Sequence, residues 1–305
     1  MNSKCNGCNS EIFQTICTRS DGLDIVRCKQ CGLEFVNPIP DNDLLEKIYK
    51  KEMLEETTAD AYYEQYIKER KNRSKSYERV AHKRLELIEK QKGEKGKLLD
   101  IGCGAGFFMK TASSRGWDVA GIELLPEYIE FAKNELGLTQ VYGKPLESLN
   151  LPDNSFDVVT LWDLIEHLQN PAETLNEIHR VLRPEGIIVI WTPNSLNAAY
   201  MKEKWMGYTI LTHLYFFSVA PLKSMLSHVG FSTIFIQTNK SRKGMFQSII
   251  PEPYKAPEDN PSKLQKRLRG LKRDIRNMLR PETYVSPILD KLGYGFNIFM
   301  IAQKK

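Results

Sequence analysis

The sequence predicts an α/β protein built on a doubly wound, mostly parallel sheet, with a small cysteine-rich ribbon ahead of it. Three observations predict this. From Lys97 to Thr238 short apolar runs alternate with amphipathic stretches, the rhythm of βαβ units. A loop carrying Gly102, Gly104 and Gly106 follows the first of these runs, "KLLDI". Four of the six cysteines fall into two C-x2-C pairs near the amino end.

The totals agree with that class. The chain has 305 residues, more than one typical domain and fewer than three. A composition of 41% hydrophobic and 27% charged residues suits a globular protein with ample core. A net charge of +5 is too small an excess to name a nucleic-acid partner. No apolar stretch reaches the length of a bilayer span. The opening "MNSKCNGCNSEIF" lacks the basic-then-apolar order of a signal peptide. The expectation is a cytoplasmic chain with reduced thiols.

The ribbon is expected over residues 1–40. Cys5, Cys8, Cys28 and Cys31 have the spacing C-x2-C-x19-C-x2-C. Zinc takes four thiolates in a tetrahedron, and each C-x2-C turn offers two. Gly32 supplies the tight knuckle after the second pair. A segment of about 40 residues buries too little apolar surface to fold alone. Bound zinc contributes about 10–16 kcal/mol at neutral pH. With four protein ligands no position is left for substrate, so the expected metal is structural. The competing readings are two disulfides or four idle thiols. Cys17 stands outside the pattern.

A helical linker is expected over 41–95. "NPIPDNDLLEKIYKKEM" starts it with two prolines and a turn. "SYERVAHKRLELIEKQ" places Val80, Leu85 and Ile88 on one face of an amphipathic helix, and "KGEKGK" ends it. Tyr62, Tyr63 and Tyr66 read as a packing stripe or as a lid over the next segment.

The alternating segment is expected over 96–305. Strands are read at 97–101, 117–123, 156–162, 187–193, 231–238 and 293–303, and helices at 107–116, 126–137, 171–186 and 220–230. Pro126 near a helix start and Gly137 at its end follow the usual asymmetry. An insertion spans about 240–292. Within it, 262–280 spaces Leu264, Leu268, Leu271, Ile275 and Met278 as one apolar face opposite a strongly basic one. That basic face suits docking on its own domain or on a twin subunit in a homodimer, an anionic lipid surface, or nucleic acid.

In an open parallel sheet ligands bind beyond the carboxyl ends of the strands. The glycine loop sits there, and its glycines let backbone approach a ligand without a Cβ clash. A dinucleotide loop reads G-x-G-x-x-G. Here the last of those positions is Phe107. Glu123 closes the second strand and suits two ribose hydroxyls, a group that nicotinamide and adenosyl cofactors share.

Taken in order, "LLDIGCGAGFF", "GIE", "SFDVVTLWDLIEHLQNP" and "VLRPEGIIVIWTPN" resemble the class I S-adenosylmethionine-dependent methyltransferases. The resemblance covers about 97–240 and the terminal strand. It implies a Rossmann-like sheet of seven strands with the last one antiparallel. It also implies S-adenosylmethionine as cofactor, with Asp100, Gly102, Gly104 and Gly106 along its methionine part and Glu123 on its ribose. Leu146 or Glu147 then frames the adenine, although Lys144 follows Gly143 where many relatives have an aspartate. Asp163 falls among the cofactor contacts as well.

For the chemistry, "WDLIEHL" sets Asp163, Glu166 and His167 at i, i+3 and i+4, one face if the stretch is helical. This resembles the acidic–acidic–histidine sequence of ubiquinone-biosynthesis-like O-methyltransferases. The trio suits a divalent metal, His167 suits a general base, and Glu166 and His167 equally suit a structural role. "TPN" at 192–194 is expected to face the acceptor. His213, in "THLYFFS", is a further candidate base or a packed residue. The ribbon joined to this segment resembles bacterial methyltransferases of surface-polysaccharide pathways. The expected reaction is O-methylation of a small molecule or of a glycan, with a nucleotide- or lipid-linked sugar as the first choice of acceptor, and the inner membrane surface is a place for peripheral contact. The alternatives are an RNA methyltransferase that grips phosphates with ribbon and basic helix, and a non-catalytic ribbon module.

Overall fold

A computed structural model of the chain describes residues 4–45, 47–48, 59–198, 205–239, 290 and 293–305. The ribbon strands are β1 (Phe13–Thr18), β2 (Asp24–Cys28) and β3 (Glu34–Asn37). Helices α1 (Ala59–Asn72) and α2 (Ser74–Lys92) follow. Then come β4 (Lys97–Ile101), α3 (Phe107–Ser114), β5 (Asp118–Ile122), α4 (Pro126–Asn134) and β6 (Val141–Tyr142). The second half holds β7 (Phe156–Trp162), α5 (Pro171–Val181), β8 (Leu182–Pro193), α6 (Met206–Thr209), β9 (Tyr215–Phe216), α7 (Val219–His228), β10 (Phe231–Asn239) and β11 (Asn297–Lys304).

The main sheet has seven strands in the order β10-β11-β8-β7-β4-β5-β6. Strands β4 to β8 run parallel, and β11 lies antiparallel between β8 and β10. The chain steps outward from β4 to β5 and β6, then returns to the other side of β4 as β7. The crevice at the carboxyl ends of β4 and β7 is therefore the switch point where an open sheet binds its ligand. Leu98, Leu99, Val158, Val159 and Ile187–Ile190 are all fully buried. Such unbroken apolar runs are what a parallel sheet covered on both faces needs.

Two local expectations change. The helix read through 186 stops at Val181, and Leu182 already pairs with Phe156 in the sheet. Pro184 is the reason: its ring would clash with the carbonyl of residue 180, and Arg183 before it disfavours the helical region. At its other end the helix starts as expected, with Pro171 in the first turn and the Asn170 side chain accepting from the Glu173 amide. In α2 the inward face is Ala81, Leu85 and Ile88, whereas Val80 is 45% exposed. Leu85 and Ile88 pack with Leu98, Trp117 and Val158 against the sheet.

The ribbon is not a bead on a string. Its antiparallel sheet has the order β1-β2-β3-β9, and β9 comes from residues far along the chain. Glu34 pairs with Phe216 and Phe35 with Tyr215, and the Val36 amide donates to the Leu214 carbonyl at 2.9 Å. Cys5, Cys28, Leu33 and Phe35 share one buried cluster with Leu99 and Leu161 of the main sheet and with Leu214 and Phe217, which flank β9. The basic stretch 262–280 and most of the insertion around it lie outside the described residues. Among the described residues no helix is long and apolar enough to cross a membrane.

Candidate active site and cysteine centre

The glycine loop follows β4 directly. Gly102 and Gly104 take φ values of +70° and +52°, which side-chain-bearing residues rarely adopt. The Gly102 and Cys103 amides donate to the Ile122 carbonyl at 2.8 and 3.0 Å, tying the loop to the tip of β5. Glu123 sits at that tip. Its Oε2 accepts from the Gly104 amide at 2.9 Å, and its Oε1 accepts from the amides of Leu124 and Leu125 at 2.7 and 3.0 Å. Gly106 plays a different part: a Cβ there would come within 2.6 Å of Leu138 and 3.2 Å of Ala132. It lets α3 pack on α4.

Asp100 is 1% exposed and accepts from Thr160 Oγ1 at 2.5 Å. Burial pushes its pKa up to about 7 against the pull of Thr160 and Arg84. Asp163 has a left-handed backbone, φ +50°, with its amide bonded to the Trp191 carbonyl at 2.8 Å. Burial raises its pKa to about 6, opposed by Arg84 and Arg70. Leu146 is buried, whereas Glu147 accepts from Thr174 Oγ1 at 2.6 Å, which commits that carboxylate to α5. Tyr63 and Tyr66 of α1 both pack at a tilt against Tyr128, and the Tyr66 hydroxyl lies 3.1 Å from where a Cβ on Gly104 would be. Helix α1 thus overhangs the loop. The Tyr62 side chain lies outside the described residues.

Arg84 went unremarked in the sequence. Its guanidinium lies 4.1 Å from the Trp162 ring centre and 4.9 Å from that of Trp191, at the ends of β7 and β8. Burial lowers its pKa to about 10, while Asp163 and Asp100 hold it charged. A signal was present: the cation stands three residues after Ala81 and four before Ile88, on the buried face of α2.

On the other side of the crevice, Ile165–His167 form a single 3-10 turn. The i, i+3, i+4 alignment of an α-helix does not apply there, and Asp163 drops out of the expected trio. The ligand atoms that do converge, within 4.8 Å of one another, belong to Glu166, His167 and His213. Glu166 is 1% exposed; its Oε2 accepts from Thr192 Oγ1 at 3.0 Å, and its Oε1 is buried without a hydrogen-bond partner among the described residues. Burial first, then Asp163, push its pKa up to about 8. His167 Nδ1 lies 3.0 Å from the Thr212 carbonyl and His213 Nδ1 lies 3.2 Å from the Gly207 carbonyl. A carbonyl only accepts, so each Nδ1 carries the proton and each Nε2 the lone pair. The rings meet edge to face with centres 4.6 Å apart. Burial, then His167, lower the His213 pKa to about 3.

Of the 192–194 stretch, expected to face the acceptor, Pro193 is half-buried and Thr192 donates to Glu166. Thr192 and Asn194 are fully buried. Asn194 donates to the carbonyls of Gly293 and Gly295 at 2.8 and 2.7 Å, closing the turn before β11.

In the ribbon the four cysteine sulfurs lie within 4.8 Å of one another, with Cys5–Cys31 and Cys8–Cys28 each 3.5 Å apart. A zinc tetrahedron with 2.3 Å bonds has edges of about 3.8 Å, so the donor set fits that metal. The Cys5–Cys31 hydrogen bond pulls the Cys31 pKa down and pushes that of Cys5 up, and burial pushes Cys8 up.

The sequence matches the methyltransferase domain family over residues 70–234, more than half of the chain. Among curated proteins it is similar to the ubiquinone biosynthesis O-methyltransferase of Haemophilus ducreyi, 34% identical over 114 residues, which are 34% of this chain and 48% of that one. It is also similar to the protein of that name from Coxiella burnetii, 30% identical over 143 residues, 45% of this chain and 58% of that one. The chain thus spans about half the length of the curated relatives it matches. Among solved structures, a SAM-dependent methyltransferase from Archaeoglobus fulgidus aligns over 87% of this chain and all of its own, at 21% identity and a TM-score of 0.47. A seven-stranded sheet with one antiparallel strand, a glycine loop at its switch point and an acid at the tip of the next strand accompany that family match, and the chain belongs to the methyltransferase domain family.

Proposed function

We propose that this chain transfers the methyl group of S-adenosylmethionine to a hydroxyl of a small molecule. The observation that carries the reading is Glu123, whose carboxylate stands at the tip of β5 and accepts from the Gly104 amide of the loop at the sheet's switch point. In this reading the backbone of Gly102 and Gly104 lies under the methionine part, Glu123 accepts from the ribose hydroxyls, and Leu124, 57% exposed, and Leu146 flank the adenine. Arg84 meets the methionine carboxylate, and Asp100 and Asp163 meet its ammonium. Tyr63 and Tyr66 close over the loop.

The cofactor brings an activated methyl carbon, so the chain's own work is alignment of the acceptor and removal of its proton. His213 with a pKa near 3 is neutral but a weak base by itself. The buried unpaired Glu166 Oε1 and two histidines anchored through Nδ1 favour a second role for the cluster. Glu166, His167 and His213 would hold a divalent cation, in place of the Asp163, Glu166 and His167 expected from spacing. A cation there lowers the pKa of an acceptor hydroxyl. In the ribbon Cys5, Cys8, Cys28 and Cys31 hold structural zinc.

An oxygen acceptor is supported by the relatives named for ubiquinone biosynthesis. The glycan acceptor expected from the sequence has no counterpart among those names. The test incubates the protein with methyl-labelled cofactor and, in parallel, ubiquinone precursors, nucleotide sugars, anionic lipid vesicles and RNA. Label in a small-molecule fraction supports the proposal. Label in RNA replaces it with the RNA reading, and cofactor binding with no label anywhere leaves the non-catalytic one. Sedimentation with the vesicles addresses peripheral membrane contact and a gel-filtration run addresses the homodimer.

A further inference from the structure

Residues 205–217 carry His213 yet have little structure of their own: α6 is one turn and β9 two residues. So short a segment cannot hold its shape by itself. On one flank it reaches the active site, where the Leu214 amide donates to the Glu166 carbonyl at 2.8 Å and the Thr212 carbonyl meets His167. Its other flank is held by the ribbon at several points. Arg19, 6% exposed, donates through Nη1 to the His213 carbonyl at 2.8 Å. The rest of that guanidinium is held by Asp21, whose Oδ1 also accepts from the Leu23 amide at 3.2 Å. The Tyr208 hydroxyl donates to Glu34 Oε2 at 2.6 Å, and Arg27 binds the other oxygen of that carboxylate. The β3–β9 ladder and a cluster of Ile25, Val36, Trp205, Tyr208 and Phe216 fill the space between.

We infer that the ribbon is a positioning element of the active site. Its metal, held by Cys5, Cys8, Cys28 and Cys31, keeps Arg19 and Glu34 in place, and these two hold residues 205–217 so that His213 faces His167 and Glu166. Arg19 and Glu34 are positioning residues and touch neither cofactor nor acceptor. The ribbon depends on its metal for folding, so metal loading in the ribbon sets the histidine geometry in the crevice. The consequence for rate rests on the methyl-transfer reading; the coupling itself does not.

The test uses the full chain, zinc-loaded and after chelation, with hydrogen exchange read segment by segment. Chelation is expected to raise exchange at least about tenfold in residues 13–37 and 205–217 together, while β4 and β7 stay protected, as for a local opening. In histidine-labelled protein kept free of metal at Glu166, His167 and His213, the His167 and His213 ring signals differ between the parent and Cys28→Ser, and those of His179 and His228 do not. Arg19→Gln and Glu34→Gln reproduce the changes in 205–217 with the metal still bound, and Arg19→Lys, which keeps a donor near the His213 carbonyl, reverses most of them. Unchanged protection of 205–217 in a chain whose ribbon has opened overturns the inference, as does loss of protection across β4 and β7. Calorimetry with the demethylated cofactor separates the two claims. Binding retained without coupling removes only this inference, and no binding in either metal state removes only the proposed function.

Discussion

On the β4–β5 side of the crevice, the loop glycines, Glu123 and the two leucines after it all lie within residues 100–125. On the β7–β8 side, Arg19, the Glu166–His167 pair, Thr192 and His213 come from four stretches, the outermost 194 positions apart. One side is a single loop pinned by its own backbone. The other is assembled by tertiary packing and borrows its outer wall from the ribbon. A site of the first kind survives damage elsewhere in the fold, and a site of the second kind inherits every weakness of what supports it.

Variants can break that contrast. Cys28→Ser should have the largest effect, because it removes a ligand from a centre worth on the order of 10 kcal/mol. Zinc content measured by atomic absorption should fall by the ribbon's share, and cofactor affinity should stay near that of the parent. If affinity falls as steeply as zinc content, the two sides are not independent. Next in size, Glu166→Gln should weaken cobalt binding at the histidine cluster by at least about 10–100-fold, the cost of losing even a partner that only orients a ligand, read from the visible spectrum of a chain whose ribbon is already zinc-loaded. Glu123→Ala should cost a charged hydrogen bond, about 1.5–3 kcal/mol, and so raise the calorimetric Kd for the demethylated cofactor while leaving cobalt binding alone.

A smaller effect sharpens the contrast through pH. Asp100 has an ordinary pKa of 3.8 and about 7 in the fold, so the folded chain holds its proton more tightly than the unfolded one. The stability this confers is fully present below about pH 3.8 and is lost as pH rises through about 7. Asp100→Asn should flatten denaturation midpoints across that window. The affinity for a cationic cofactor should move the opposite way in the parent, rising as Asp163 and Asp100 ionise near pH 6 and 7.

The same division explains what could be read in advance. The parallel sheet, the loop, Glu123 and the four cysteines are local patterns, each written in a run of neighbouring residues, and the fold places them as the runs suggest. The acidic–acidic–histidine spacing misled because it assumed an α-helix where the chain makes a 3-10 turn, and so admitted Asp163 and omitted His213. The α2 stripe was displaced by one residue, from Val80 to Ala81, because alanine is a quiet signal beside valine. Arg84 hid among other cations, and only its place on the buried face set it apart. The β3–β9 pairing left no trace, since a two-residue strand has no periodicity to detect.

That pairing has a consequence during synthesis. The third ribbon strand leaves the ribosome early, but its partner at Tyr215 and Phe216 emerges only after most of the large sheet has been made. Until then β3 presents an open edge, the kind that recruits stray strands. Fragments that end before Tyr215 should therefore aggregate more readily than fragments that end after Phe217, even when zinc is supplied to both.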